Sequence, residues 1–180
     1  DHTNLRVNIH QFTKELCREE RRTVGRLDSR FKGMDKDGVD DTPEFDPSMA
    51  AIRPPFTSVL NTYFRTDLGY ESDVEYHILR GLEWNWGDAM RGYSDTSDDL
   101  RAAFAKNPFM KVFVASGYYD LATPYYATEY TLSHMNLDPE VRSNIHVEEF
   151  PTGHMVYLDF KAMLRLKETV TSFINNAVDG

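Results

Sequence analysis

Apolar positions in the first hundred residues recur mostly at helical spacing. Leu5, Ile9, Phe12 and Leu16 share one stripe, with Thr3 or Asn4 as candidate caps and Gly25 beyond the end. Asp46-Pro47 predicts a helix start, because a capping carboxylate precedes a proline at the first helical position. Pro54 and Pro55 predict an interruption. A second helix then carries Phe56, Val59, Leu60, Tyr63 and Phe64 on one face and is closed by Gly69. Alternation of Val74, Tyr76 and Ile78 predicts a short strand. LEWNWGDAMRGY reads as an aromatic loop, and Thr96 or Ser97, followed by Asp98 and Asp99, opens a helix that stops near Asn107-Pro108. The segment GRLDSRFKGMDKDGVDDTPEFD, rich in Gly and Asp and without a period, reads as an irregular loop.

From position 109 onward the pattern changes. MKVFVAS is a short, β-branched apolar run bounded by Pro108 and Gly117, which suits a strand buried on both faces. Thr123-Pro124 predicts a cap and first helical position for YYATEYTLSHM. NIHVEEF predicts a second strand, with Ile145, Val147 and Glu149 on one face. Asp159 then caps a helix carrying Phe160, Met163, Leu164, Val170, Phe173 and Ile174. Strand, loop, helix, strand, loop, helix is an α/β pattern, and parallel pairing follows from it.

Bulk properties narrow the function. A length of 180 residues suffices for one ordinary domain or for two small pieces of a larger one. The formal net charge of −9 argues against a nucleic-acid footprint, which needs clustered Lys and Arg. Arg18, Arg21 and Arg22 alternate with Glu19 and Glu20, as on a solvated helix face. No apolar stretch approaches the roughly 20 residues of a membrane span. Cys17 is the single cysteine, so no intrachain disulfide forms.

Two residues stand where an open α/β sheet places its chemistry, on loops leaving the carboxyl ends of strands: Asp120 and His154. Either alone has an ordinary explanation, Asp120 as a turn former or helix cap and His154 as a surface or packing residue. In this order and on successive strands they fit an acid that orients an imidazole, whose other nitrogen takes a proton from a serine.

The motifs GYYDLATPYY and FPTGHMVY resemble the final third of the serine carboxypeptidase family of α/β-hydrolases, in its bacterial branch. The family's Gly-x-x-Asp-x-x-x-Pro setting is matched by Gly117, Asp120 and Pro124, and its Gly-His-Met-Val by Gly153, His154, Met155 and Val156. Tyr157 stands where the family usually has a proline, and Phe160 where bacterial relatives often have one. The resemblance implies an α/β fold class: the last two parallel strands of an α/β-hydrolase with their helices (108–180), preceded by a mainly helical cap (1–107) to which GRLDSRFKG and DPS belong. It implies catalytic roles for Asp120 and His154, and a substrate-binding role for Met155 in the pocket for the departing residue. Met155 as core filler beside the histidine is the alternative. It further implies a peptide substrate, no cofactor, and a secreted or periplasmic location.

No Gly-x-Ser-x-Gly occurs in the sequence; Gly92-Tyr93-Ser94-Asp95-Thr96 lacks the second glycine. The expectation is therefore that the nucleophilic serine lies in an N-terminal portion of the same enzyme and that this chain alone is inactive. Other constellations compete. Cys17 as a nucleophile lacks an activating helix N-terminus. Asp35, Asp37 and Gly38 suggest a calcium loop, but Asp40 and Asp46 occupy the positions of the required Gly and Glu. His2, His10, His77, His134 and His146 form no zinc-like spacing. A non-enzymatic binding module remains the alternative function, with Trp84, Trp86, Tyr93, Tyr63 and Phe64 as its recognition surface, although Tyr63 and Phe64 read better as core.

Overall fold

The computed structural model describes residues 8–36, 39–78 and 95–178. The chain divides into two compact units, 1–85 and 86–180.

In the first unit, helix α1 spans Ile9–Glu15. Asn8 caps it by accepting from the Gln11 N–H at 3.0 Å; Thr3, Asn4 and Leu5 lie outside the described residues. The basic run falls on a tight turn instead of a helix face. Arg18 pairs back to Glu15, and Arg21 takes a left-handed conformation at φ 52°. Arg22 opens strand β1 (Arg22–Val24), which pairs antiparallel with β2 (Lys32–Met34). The segment read as irregular loop thus contains half of a hairpin. Three-residue strands show no periodicity, and Gly33 lies against the Phe45 ring, where a Cβ would come within 2.5 Å of it.

Helix α2 (Pro47–Thr66) starts as expected, with Asp46 accepting from the N–H groups of Ser48 and Met49. It then runs through Pro54 and Pro55 without the expected break. Each proline removes one helical hydrogen bond, to the carbonyl of Ala50 or Ala51. All four residues occupy exposed positions, so water can solvate the two carbonyls. Residues 74–77 are irregular, and Val74 and Tyr76 are exposed, so the expected strand is absent there. Its alternation finds no neighbouring strand among the described residues. Tyr63 is exposed, while Phe64 is half-buried and packs edge-on against Tyr70 and Tyr76 at centroid distances of 6.0 and 6.2 Å.

The second unit is mixed α/β. Helix α3 (Ser97–Lys106) precedes strand β3 (Val112–Gly117), then come α4 (Tyr125–His134), a short α5 (Pro139–Arg142), strand β4 (Ile145–Phe150) and α6 (Phe160–Val178). The strands pair in parallel, as the pattern predicts, in register from Val112↔Ile145 to Gly117↔Phe150. Phe104 of α3 is buried with Leu132, Met135 and Ile145, and Phe150 with Val156 and Ala162. These two clusters fix the helices to the sheet, each fully buried large side chain contributing about 1.5–3 kcal/mol of transfer free energy. β3 is only half-buried along most of its length, and Ala115 is exposed, in contrast to the expected two-sided burial. Asp138-Pro139 repeats the Asp-Pro start of α2, with Asp138 accepting from the Glu140 N–H. No described helix is long and apolar enough to cross a membrane.

Candidate active site

The carboxyl ends of β3 and β4 lie side by side, and their pairing continues into the loops. The Tyr118 N–H donates to Phe150 O at 3.0 Å and the Tyr119 N–H to Thr152 O at 2.9 Å. This close approach needs a glycine at position 117. A Cβ there would stand 2.3 Å from Gly153 O and 2.6 Å from Thr152 O, main-chain atoms that cannot swing aside. Thr152 and Gly153 are themselves buried, which anchors the loop one residue ahead of His154.

Asp120 follows in a turn closed by its own N–H on Gly117 O. Its side chain is 4% exposed and takes four hydrogen bonds. Oδ1 accepts from the N–H groups of Ala122 (2.7 Å) and Thr123 (2.9 Å), and Oδ2 accepts from Thr123 Oγ1 (2.6 Å) and His154 Nδ1 (2.7 Å). A carboxylate offers about four lone-pair sites, and all are used. Asp120 therefore makes both kinds of contact at once: Oδ1 closes the turn and Oδ2 meets the histidine. Because an ionised Oδ2 can only accept, these contacts call for a proton on Nδ1, and in the neutral imidazole that fits them Nε2 is the lone-pair nitrogen. His154 is 43% exposed at its side chain, and among the described residues nothing is hydrogen-bonded to Nε2.

Met155 directly follows His154, is half-buried, and leads into a single 3-10 turn (Val156–Leu158). Tyr157 lies in that turn and is exposed. Asp159 caps α6 through the Ala162 N–H at 2.9 Å. On the β3 side, Tyr118 is exposed and packs edge-on against Tyr125 at 5.3 Å. A hydrogen bond to the Glu149 carboxylate raises the Tyr118 phenol above its ordinary pKa.

Thr123 is the residue that sequence reasoning missed. Read as a helix cap, it instead lies one residue before Pro124, which takes the capping position in an extended conformation. The available signal was its spacing: a hydroxyl three residues after a loop aspartate can reach back to the carboxylate.

The remaining candidates lie elsewhere. Cys17 is buried in the first unit just after α1. Asp35 pairs with Lys14, and Asp46 serves the N-terminus of α2, so neither is offered to a cation in the expected way. Asp37 and Gly38 lie outside the described residues, as do His2, Trp84, Trp86, Gly92, Tyr93 and Ser94. His134 stacks on Tyr130 and His146 on Phe113. Among the described residues no group of three His, Cys, Asp or Glu side chains is placed to hold a metal ion. Comparisons with protein-family models, with curated proteins and with solved structures return no match.

Proposed function

We propose that Asp120 and His154 are the acid and base of a Ser-His-Asp acyl-transfer site, in a carboxypeptidase-like enzyme that hydrolyses peptides at the carboxyl end. The observation that carries this reading is the 2.7 Å contact between His154 Nδ1 and the buried Asp120 Oδ2, with the ring half in solvent. In this reading β3 and β4 are the last two strands of an α/β-hydrolase sheet and the first unit belongs to its cap, whereas α3, buried through Phe104 in the core of the second unit, goes with the sheet. The nucleophile comes from an N-terminal portion of the same enzyme, because the sequence has no Gly-x-Ser-x-Gly elbow.

The chemistry follows from the proton assignment. Nε2 takes the serine proton as Oγ attacks the substrate carbonyl, and the imidazolium that forms is stabilised by Asp120. The same proton passes to the departing amine, and water then releases the acyl group by the reverse sequence. Met155, half-buried beside the base, would wall the pocket for the departing residue.

A fluorophosphonate probe tests the division of labour. The chain alone should remain unlabelled, and the assembly with its N-terminal portion should take label on that portion's serine, with labelling lost in His154→Ala. Label on this chain alone overturns the external serine, and an assembly that never labels overturns acyl transfer.

A further inference from the structure

We infer that Thr123 is a positioning residue for the Asp120–His154 pair, through its hydroxyl and not through helix capping. Thr123 Oγ1, Asp120 Oδ2 and His154 Nδ1 form a triangle with edges of 2.6, 2.7 and 3.2 Å. The hydroxyl has one proton, and the shorter contact directs it to Oδ2. A histidine protonated only at Nε2 would set a lone pair on Nδ1 against a lone pair on Oδ2 at 2.7 Å. With the proton on Nδ1, the bond to Oδ2 is made and the threonine oxygen becomes a longer second acceptor for it. The two backbone N–H groups on Oδ1 fix one end of the carboxylate, and the hydroxyl fixes the other. The plane of the acid is thereby set independently of the ring, so the ring has one orientation and one tautomer to adopt.

Only the kinetic consequence rests on the acyl-transfer reading; the hydrogen-bond claim is testable on the chain by itself. Thr123 is exposed, so the isosteric Thr123→Val keeps the shape and the backbone N–H while removing the hydroxyl. With ¹⁵N-histidine labelling and His154 assigned by a His154→Gln comparison, the ring nitrogen shifts should report the Nδ1–H form in the native chain. Thr123→Val should move those shifts toward a tautomer mixture, and Thr123→Ser should restore them. In the assembled enzyme Thr123→Val should lower kcat about tenfold with KM unchanged, the scale of one lost hydrogen bond to a charged group.

Unmoved ring shifts in folded Thr123→Val overturn the inference, and so does an unchanged kcat in an enzyme whose rate depends on His154. Thr123→Ala gives the same readings should the valine variant not fold. The failures are separable. A rate independent of His154 would remove the acyl-transfer reading and leave the shift result standing, whereas unmoved shifts with a His154-dependent rate would remove this inference alone.

Discussion

Each unit contains a buried aspartate beside a basic side chain, and the two pairs differ in what they leave open. Lys14 and Asp35 meet at 3.3 Å with side chains 1% and 4% exposed. Asp120 and His154 meet at 2.7 Å with side chains 4% and 43% exposed. In the first pair both charges have lost water, and their mutual attraction must offset that loss. Among the described residues Asp35 Oδ2 has no hydrogen-bond partner, so the offset there is incomplete. In the second pair the acid alone is withdrawn from water and is held by four donors. The base keeps one face toward solvent. The two pairs thus differ by an asymmetry of exposure: of the two, the second leaves its basic side chain open to an approaching group.

The largest effect should come from the open pair. Asp120→Asn or His154→Ala should reduce peptide hydrolysis by the assembled enzyme about 10⁴-fold, as loss of a triad member does. Because the ring is half-exposed, His154→Ala should leave the thermal midpoint nearly unchanged. Retained activity would make the second pair as structural as the first.

The closed pair should behave in the opposite way. Lys14→Met strands Asp35 and should cost about 3–5 kcal/mol in urea denaturation, with the His154 ring shifts unaltered. Adding Asp35→Leu should recover most of that loss, since an apolar replacement of both partners removes the buried charge. A double variant no better than the single one would show that the pair stabilises beyond its desolvation cost.

Two smaller effects sharpen the contrast. Gly117→Ala forces a methyl against main-chain atoms and should cost about 1–3 kcal/mol, with the His154 ring shifts changed because the two loops separate. Asp46→Ala removes the α2 cap and should cost about 1 kcal/mol, visible in thermal unfolding and silent at His154.

The strands that carry the pair were legible because their signals are local: β-branched runs closed by Pro108 and Gly117, and a second run ending at Phe150. Legibility failed where the deciding factor lay outside the window. The alternation of Val74 and Tyr76 meets no partner strand among the described residues, and Pro54-Pro55 breaks nothing because its orphaned carbonyls face an exposed side. β1 and β2 are too short to show a period. At the candidate site the positions of Asp120 and His154 were readable. The double duty of the acid was not, since a sequence presents turn former and orienting acid as rivals when two oxygens allow both.

The parallel register of β3 and β4 has a bearing on how the site would fail. Strands change register only in whole-residue steps of about 3.3 Å, a distance larger than the 2.7 Å bond at their far end. Slip of the ladder therefore cannot loosen the pair by degrees: a single step parts the acid from the imidazole outright, and smaller adjustments are left to the two loops and the ring. Failure by slip and loss of the sheet's native pairing would then be one event.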